Sequence, residues 1–586
     1  MHDRPCEPTP IVVAPQPRWR EWELVALALL TVALYFTRLT LLPVCGEESR
    51  WANGAREMIA SGDWVVPRQQ GQIFPERPPL GSWMMGLTGL ARGHVDLVAI
   101  RLPSAAALLI LTCLIYLYAR TWISRLGSFA AATIFATSGQ VLALGRLGES
   151  EAVFTLFVAA SLGIWHVGYL RRWPAAVAWS AGYSLAALAA LTKGLQAPIY
   201  LIAATSAYLI LERNWRWLFG ASHALGIASF TAIIAVWLIP FAGVGWHAMH
   251  DIWFGLAGDR LTTNGLARHL LHYPLETFAC LLPWSPLLLA WLKPTVCRAI
   301  WSDRPQVRFL IVALAVTYPS VWLAAGAKGR YFMPLYPVLA VLMGLVVEHC
   351  TAAAASLNHR RVWRLFLRGL ALSTVIGGCV LLAANTLPLV RLSALSQPGA
   401  FLGLWMVVAC ATAGVFAWSS LAEHAPRPQL AIVALVALVG FSYVGLVINA
   451  RLGGVNDLMP AVARVKDQLP EPGQLISLGR VYHRFTYCYE APIRAVPWPV
   501  TAEQAPSEMT YFCFDRHGSD TAEVRSTGDG RFSENTSGTL PFEWEKIAEI
   551  PCDPTKRDDN WRSVIIGRVR KPVRLAAPPA NQPVLR

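Results

Sequence analysis

The chain has 586 residues, of which 55% are apolar and only 15% charged, against roughly 25% charged in soluble domains. With a mean hydropathy of +0.42, it excludes a soluble globular, disordered, collagenous or coiled-coil protein and points to a polytopic α-helical membrane protein. Eleven cysteines are too sparse for a disulfide-stapled fold, and the net charge of +14 is read as basic cytoplasmic loops, with no nucleic-acid partner.

In chain order, residues 1–21 are polar and carry five prolines and the arginines Arg4, Arg18 and Arg20; they are read as a cytoplasmic N-terminal segment. The apolar run 22–44 exceeds the roughly 7–15 residues of a signal-peptide core, so a retained first helix is expected. Residues 45–96 form a first outer loop. Its part 45–78 is too polar to span, and the short run 79–91 predicts a helix lying at the interface. Further apolar runs fall near 97–119, 127–144, 150–170, 174–192, 195–211, 217–243, 276–293, 307–325, 331–349, 362–386, 400–418 and 428–448. With 22–44 they predict about 13 transmembrane helices, each near the roughly 20 residues that cross the hydrocarbon.

The charges fix the register of that topology. With the N-terminus inside, every inner loop is basic: Arg120 and Arg125, Arg171 and Arg172, Arg213 and Arg216, Lys293 to Arg308, Arg360 to Arg364, and Arg427. If 79–91 spanned, these clusters would face outward. The membrane unit is then 22–448, and 449–586 is an extracytoplasmic domain. In that tail, β-like runs at 474–479, 510–515 and 563–569 and a helical stretch at 458–468 predict a small α/β domain. The polar stretch 516–540 reads as a loop. Cys488, Cys513 and Cys552 either include one pair or are three thiols.

The outer loops hold the chemistry. The first carries Glu47, Glu48, Arg50, Glu76 and Arg77, and the second Arg146, Glu149 and Glu151. Lys193 ends the fifth span. The fourth outer loop holds Arg260, His269 and His272, and Lys328, Arg330 and Tyr331 sit between the ninth and tenth spans. Acids and bases from five loops thus face one aqueous side at headgroup depth. Such a face suits an anionic lipid substrate, with arginine and lysine on its phosphate and a carboxylate removing a proton from an acceptor.

Five motifs carry a family resemblance. Glu47-Glu48-Ser49-Arg50-Trp51-Ala52, with Ala55-Arg56-Glu57-Met58 and Ser61-Gly62-Asp63-Trp64, resembles the first outer loop of the aminoarabinose lipid A transferases. These belong, with the protein O-mannosyltransferases, to the class C glycosyltransferases. Pro75-Glu76-Arg77-Pro78-Pro79-Leu80, Arg101-Leu102-Pro103-Ser104, Leu191-Thr192-Lys193-Gly194 and Lys328-Gly329-Arg330-Tyr331-Phe332-Met333-Pro334 are similar to further family segments.

The resemblance implies an inverting transfer of a sugar, a pentose or hexose of aminoarabinose or mannose type, from a polyprenyl-phosphate donor. The acceptor is a membrane lipid, glycan or protein outside the cytoplasm, and the setting is a bacterial inner membrane. It places catalytic carboxylates at Glu47 and Glu151, both Asp in the family, with Glu48 and Arg146 in support. It places the lipid phosphate among Arg50, Arg77, Lys193, Arg260, Lys328, Arg330 and Tyr331. Some relatives hold a metal there; the corresponding ligands are Glu76 and His269, for a divalent ion such as Zn, Mg or Mn, though no cofactor is required. Each residue also has a plainer reading. Glu47 and Glu48 fit a solvated acidic pair, Glu151 a helix N-terminal charge, Lys193, Lys328 and Arg330 snorkelling anchors, and Tyr331 the aromatic belt. The alternative functions are a multispan transporter or flippase, or a non-catalytic family member in envelope assembly. Against transport, the charges gather at one face and no internal repeat is visible.

Overall fold

The computed structural model describes residues 22–37, 39–74, 77–255, 265–304, 306–352, 355–386, 433, 457–469, 475–517, 540–552 and 562–570. Eleven of the thirteen apolar runs lie on these residues, and each contains helix. The runs 400–418 and 428–448 lie outside them, Val433 apart, as do the inner-loop Arg427 and most of the loop 516–540.

The membrane unit begins with α1 (Trp22–Tyr35) and continues through α2 (Glu48–Ser61), α3 (Leu80–Arg92), α4 (Leu97–Ala119), α5 (Arg125–Ala136), α6 (Gly139–Leu144), α7 (Ser150–Leu170), α8 (Ala175–Lys193), α9 (Gln196–Leu211), α10 (Trp215–Phe219) and α11 (Ala221–Phe241). Helix starts follow local chemistry: the Asp96 side chain accepts the Ala99 N–H to cap α4, and Ser124 accepts that of Gly127 to cap α5. Tryptophan and tyrosine fill the centre. Trp165 and Trp179 are fully buried with ring centroids 5.3 Å apart, and His166 stacks on Phe309 at 4.2 Å.

Several runs depart from straight spans. Among the described residues five helices are long and apolar enough to cross a membrane, with a sixth if one bent pair counts as a single span. That pair, Leu266–Cys280 and Ser285–Leu292, turns by 117° within the run expected at 276–293. The run 127–144 breaks between α5 and α6 at Thr137 and Ser138, and 307–325 breaks at Pro319, which has no N–H to continue the ladder. The first helix stops at Tyr35. Beyond it the chain turns to present the carbonyls of Leu39, Leu42 and Pro43 to the buried Arg101 guanidinium at 2.5–2.9 Å. The expected interfacial helix is α3, 13 residues long.

Charges segregate to opposite helix ends. Arg125 pairs with Glu23 at 2.7 Å, and Arg304 with Glu348 at 2.9 Å, at the ends expected to be cytoplasmic. The other end carries Glu47, Glu149, Glu151, Lys193 and Arg330.

Among the described residues the tail holds two α-helices, Met459–Gln468 and His483–Tyr489, and a five-stranded mixed sheet. Strands β3 (Leu475–Leu478), β4 (Arg494–Val496), β5 (Tyr511–His517), β6 (Trp544–Pro551) and β7 (Arg562–Val569) follow a two-residue pair, β1 (Arg68–Gln69) and β2 (Gln72–Ile73), in the first outer loop. Their order is β4-β3-β5-β7-β6. β3 runs parallel to β4 and β5, and β7 antiparallel to β5 and β6. Cys488, Cys513 and Cys552 are buried free thiols. One apolar core joins the tail to the first outer loop: Trp51, Ala55 and Met85 pack in one cluster with Val462, Phe485 and Tyr489.

Candidate active site

The site is built on the first turn of α2. Glu48 is fully buried and held by Arg101 through two bonds of 2.7 and 2.8 Å. It also accepts the N–H groups of Gly148 at 2.6 Å and Cys45 at 3.0 Å. Gly148 is required by this closeness, since a Cβ there would lie 2.1 Å from the Ile100 side chain. Glu48 thus ties α2 to α4 and to the loop before α7, which makes its support structural. Removing one partner of a buried pair leaves an uncompensated charge. Glu48→Gln is therefore expected to cost about 3–5 kcal/mol, read as a lowered thermal midpoint of the purified protein. An unchanged midpoint would show that the pair is not needed for folding.

With Glu48 fixed, its neighbours face outward. Glu47 is 43% exposed at its side chain and lies 2.9 Å from the Arg50 guanidinium, while the Glu47 N–H donates to Glu149 at 3.4 Å. Glu149 accepts from Arg330 at 2.8 Å, and Glu151 accepts from Lys193 at 2.8 Å, with Arg330 Nε 3.6 Å away. Lys193 Nζ stands 5.0 Å from the Tyr331 ring centre and 5.6 Å from that of Phe154. The resulting network runs from Arg50 to Lys193 through four separate segments, with the Glu47 backbone N–H joining its two adjacent carboxylates, Glu47 and Glu149. Arg77 lies within electrostatic reach of Glu151 and Lys193, and it lines a small pocket with Arg50, Trp51 and Phe74. Lys328 is exposed, two residues before Arg330 in the chain.

Two further expected site residues make contacts with backbone carbonyls. Arg146 donates to the Leu34 carbonyl at 2.8 Å, anchoring the end of α1. His269 has its Nε2 at 3.2 Å from the Val321 carbonyl and its ring 4.8 Å from that of Tyr273. Arg260 and Glu76 lie outside the described residues. Among the described residues no group of three or more His, Cys, Asp or Glu is placed to hold a metal.

Glu149 is named in the second outer loop but has no role assigned from the sequence. It stands two positions before Glu151, but only the folded chain shows it joined to Glu47 and Arg330. Burial and the neighbouring Glu151 charge hold its carboxyl above the ordinary glutamate range, against the pull of Arg330. A carboxyl raised in this way contributes its full stability below the unfolded pKa and loses it as pH rises through the folded one. The thermal midpoint of the parent should therefore fall relative to that of Glu149→Gln as pH is raised above the ordinary carboxylate range. A gap that stays constant with pH would contradict this.

Comparison with known proteins identifies the family and the fold. The dolichyl-phosphate-mannose-protein mannosyltransferase family matches residues 76–239. A Pseudomonas aeruginosa protein named undecaprenyl phosphate-alpha-4-amino-4-deoxy-L-arabinose arabinosyl transferase is 30% identical over 415 residues, 67% of this chain and 70% of its own. A Sodalis glossinidius protein of the same activity name is 27% identical over 342 residues, 56% of this chain and 60% of its own. In fold, the chain is similar to ArnT from Cupriavidus metallidurans bound to undecaprenyl phosphate. The TM-score is 0.68 at 17% identity, over 94% of this chain and 98% of that one. The protein thus belongs to the aminoarabinose transferase and protein O-mannosyltransferase group, the polyprenyl-phosphate-sugar-dependent glycosyltransferases of class C.

Proposed function

We propose that the protein moves an aminoarabinose-like pentose, or a hexose, from polyprenyl phosphate to a lipid, glycan or protein acceptor at the outer face of a bacterial inner membrane. The observation that carries this reading is the accessible Glu47 carboxylate standing beside a cluster of cations. Arg50, Arg77, Lys193 and Arg330 outnumber Glu47, Glu149 and Glu151, which leaves excess positive charge for a phosphate.

The mechanism is direct displacement at the anomeric carbon. The acceptor oxygen attacks, Glu47 takes its proton, and the bond to the phosphate oxygen breaks with inversion. Polyprenyl phosphate leaves as the anion, so no acid is needed to protonate it. Negative charge grows on that phosphate, and preorganised cations stabilise it without reorganising in the transition state. Glu149 and Glu151 hold Arg330 and Lys193 in place for this task. The names of the relatives make undecaprenyl-phosphate aminoarabinose the first donor to test. Mass spectrometry of lipid A, glycans and envelope proteins with and without the gene should show one class losing a pentose- or hexose-sized modification. No difference in any class, in cells shown to make the protein, would overturn the proposal.

A further inference from the structure

The first turn of α2 is gripped from two sides. Arg101 holds Glu48 from the membrane unit. On the other side lies the tail helix His483–Tyr489. His483 Nδ1 is 2.7 Å from the Ser49 hydroxyl, and Asn53 donates to the His483 carbonyl at 2.9 Å and to the Thr486 hydroxyl at 2.6 Å. Arg56 donates to the Tyr487 carbonyl at 2.8 Å and lies 4.1 Å from the centre of that ring. Ser49, Asn53 and Arg56 are spaced i, i+4 and i+7, so one stripe of α2 faces the tail.

Ser49 is fully buried and His483 is 7% exposed. Burial, with the charges of Arg50, Arg484 and Arg562, keeps the His483 ring well below the ordinary histidine range. It is therefore a neutral imidazole that shares one hydrogen bond with Ser49. Ser49 stands two residues after Glu47 and one before Arg50, so a shift of this turn moves both.

We propose that His483 is a positioning residue of the transfer reaction: through Ser49 it fixes the turn of α2 that carries Glu47 and Arg50, making the C-terminal domain part of the transfer machinery. This rests on the reading of Glu47 as the proton acceptor. A displacement of about 1 Å at a reacting group costs on the order of 10²-fold in rate, and losing one of two grips should cost less.

The test uses full-length protein in a donor-consumption assay with undecaprenyl-phosphate aminoarabinose. Ser49→Ala and His483→Ala should each lower turnover about tenfold, and the double variant should fall no further, because both delete the same bond. His483→Asn, whose amide reaches the Nδ1 position, should recover to within about threefold of the parent, a rescue that loss of a merely structural contact would not give. If His483→Ala does not fold, Ser49→Ala and His483→Asn decide the matter. Full turnover in Ser49→Ala, additive losses in the double variant, or no advantage of Asn over Ala would each overturn the proposal. Glu47→Gln is measured alongside. If it abolishes transfer while Ser49→Ala keeps full turnover, the positioning role fails and the catalytic reading stands. If Glu47→Gln keeps turnover, the catalytic reading fails and takes the positioning role with it.

Discussion

Glu47→Gln is expected to lower turnover by about 10²–10⁴-fold, the contribution typical of a positioned base. Gln keeps the size of the side chain and loses the basic oxygen. Folding should be little affected, because the Glu47–Arg50 pair is partly exposed on both sides and such pairs contribute only about 0–1 kcal/mol. The buried carboxylate next to it, Glu48, carries the structural role. Glu47→Asp restores the residue that the resemblance places here and should keep measurable activity. Steady-state rates at saturating donor check both variants. Near-normal turnover in Glu47→Gln would remove Glu47 as the base and direct attention to Glu149, whose raised carboxyl pKa and bond to the Glu47 N–H place it next in line.

Arg77→Ala is expected to weaken donor use by roughly ten- to a hundredfold, corresponding to about 1.5–3 kcal/mol for one charge-assisted bond to phosphate. Arg77 lines the same small pocket as Arg50, and its charge reaches Lys193 and Glu151. The donor phosphate must sit near headgroup depth because its polyprenyl tail stays in the bilayer. Arg77→Lys keeps the charge and should be mild. Arg171→Ala is the control. Arg171 follows the last residue of α7, whose 21 residues begin beside Glu149 and so carry it about 30 Å from the site at 1.5 Å per residue. Donor KM and turnover are measured for all three. Equal losses in Arg77→Ala and Arg171→Ala would mean that insertion or stability is at fault, and the phosphate site would be abandoned.

Much of this arrangement is legible in the sequence because hydrophobic length and loop charge are local properties. The runs that became α4, α7 and α8 stand out for their length, and the short amphipathic stretch at 79–91 became α3. Glu47, Arg50, Glu151, Lys193 and Arg330 could be gathered in advance because a topology with basic inner loops puts them on one face. What the sequence hides depends on tertiary contact. Nothing in Arg101-Leu102-Pro103-Ser104 says that the arginine crosses to Glu48 and takes three carbonyls from the segment after α1. Glu149 and Glu151 look alike in the chain, yet one meets Arg330 and the other chiefly Lys193. The bend within 276–293 hides inside an apolar run because apolarity reports burial in lipid or protein, not straightness. The grip of His483 on Ser49 joins residues 434 positions apart, beyond any spacing rule.

The most direct test of sugar transfer from a polyprenyl phosphate is reconstitution. The purified protein is placed in liposomes with undecaprenyl-phosphate aminoarabinose and envelope lipid, and release of undecaprenyl phosphate is followed together with the labelled sugar. Release is expected to be coupled one-to-one to a new glycosylated acceptor of inverted anomeric configuration, and to fall by about 10²–10⁴-fold with Glu47→Gln. Donor that is moved across the bilayer without cleavage, or cleavage that proceeds unchanged in Glu47→Gln, would contradict this expectation.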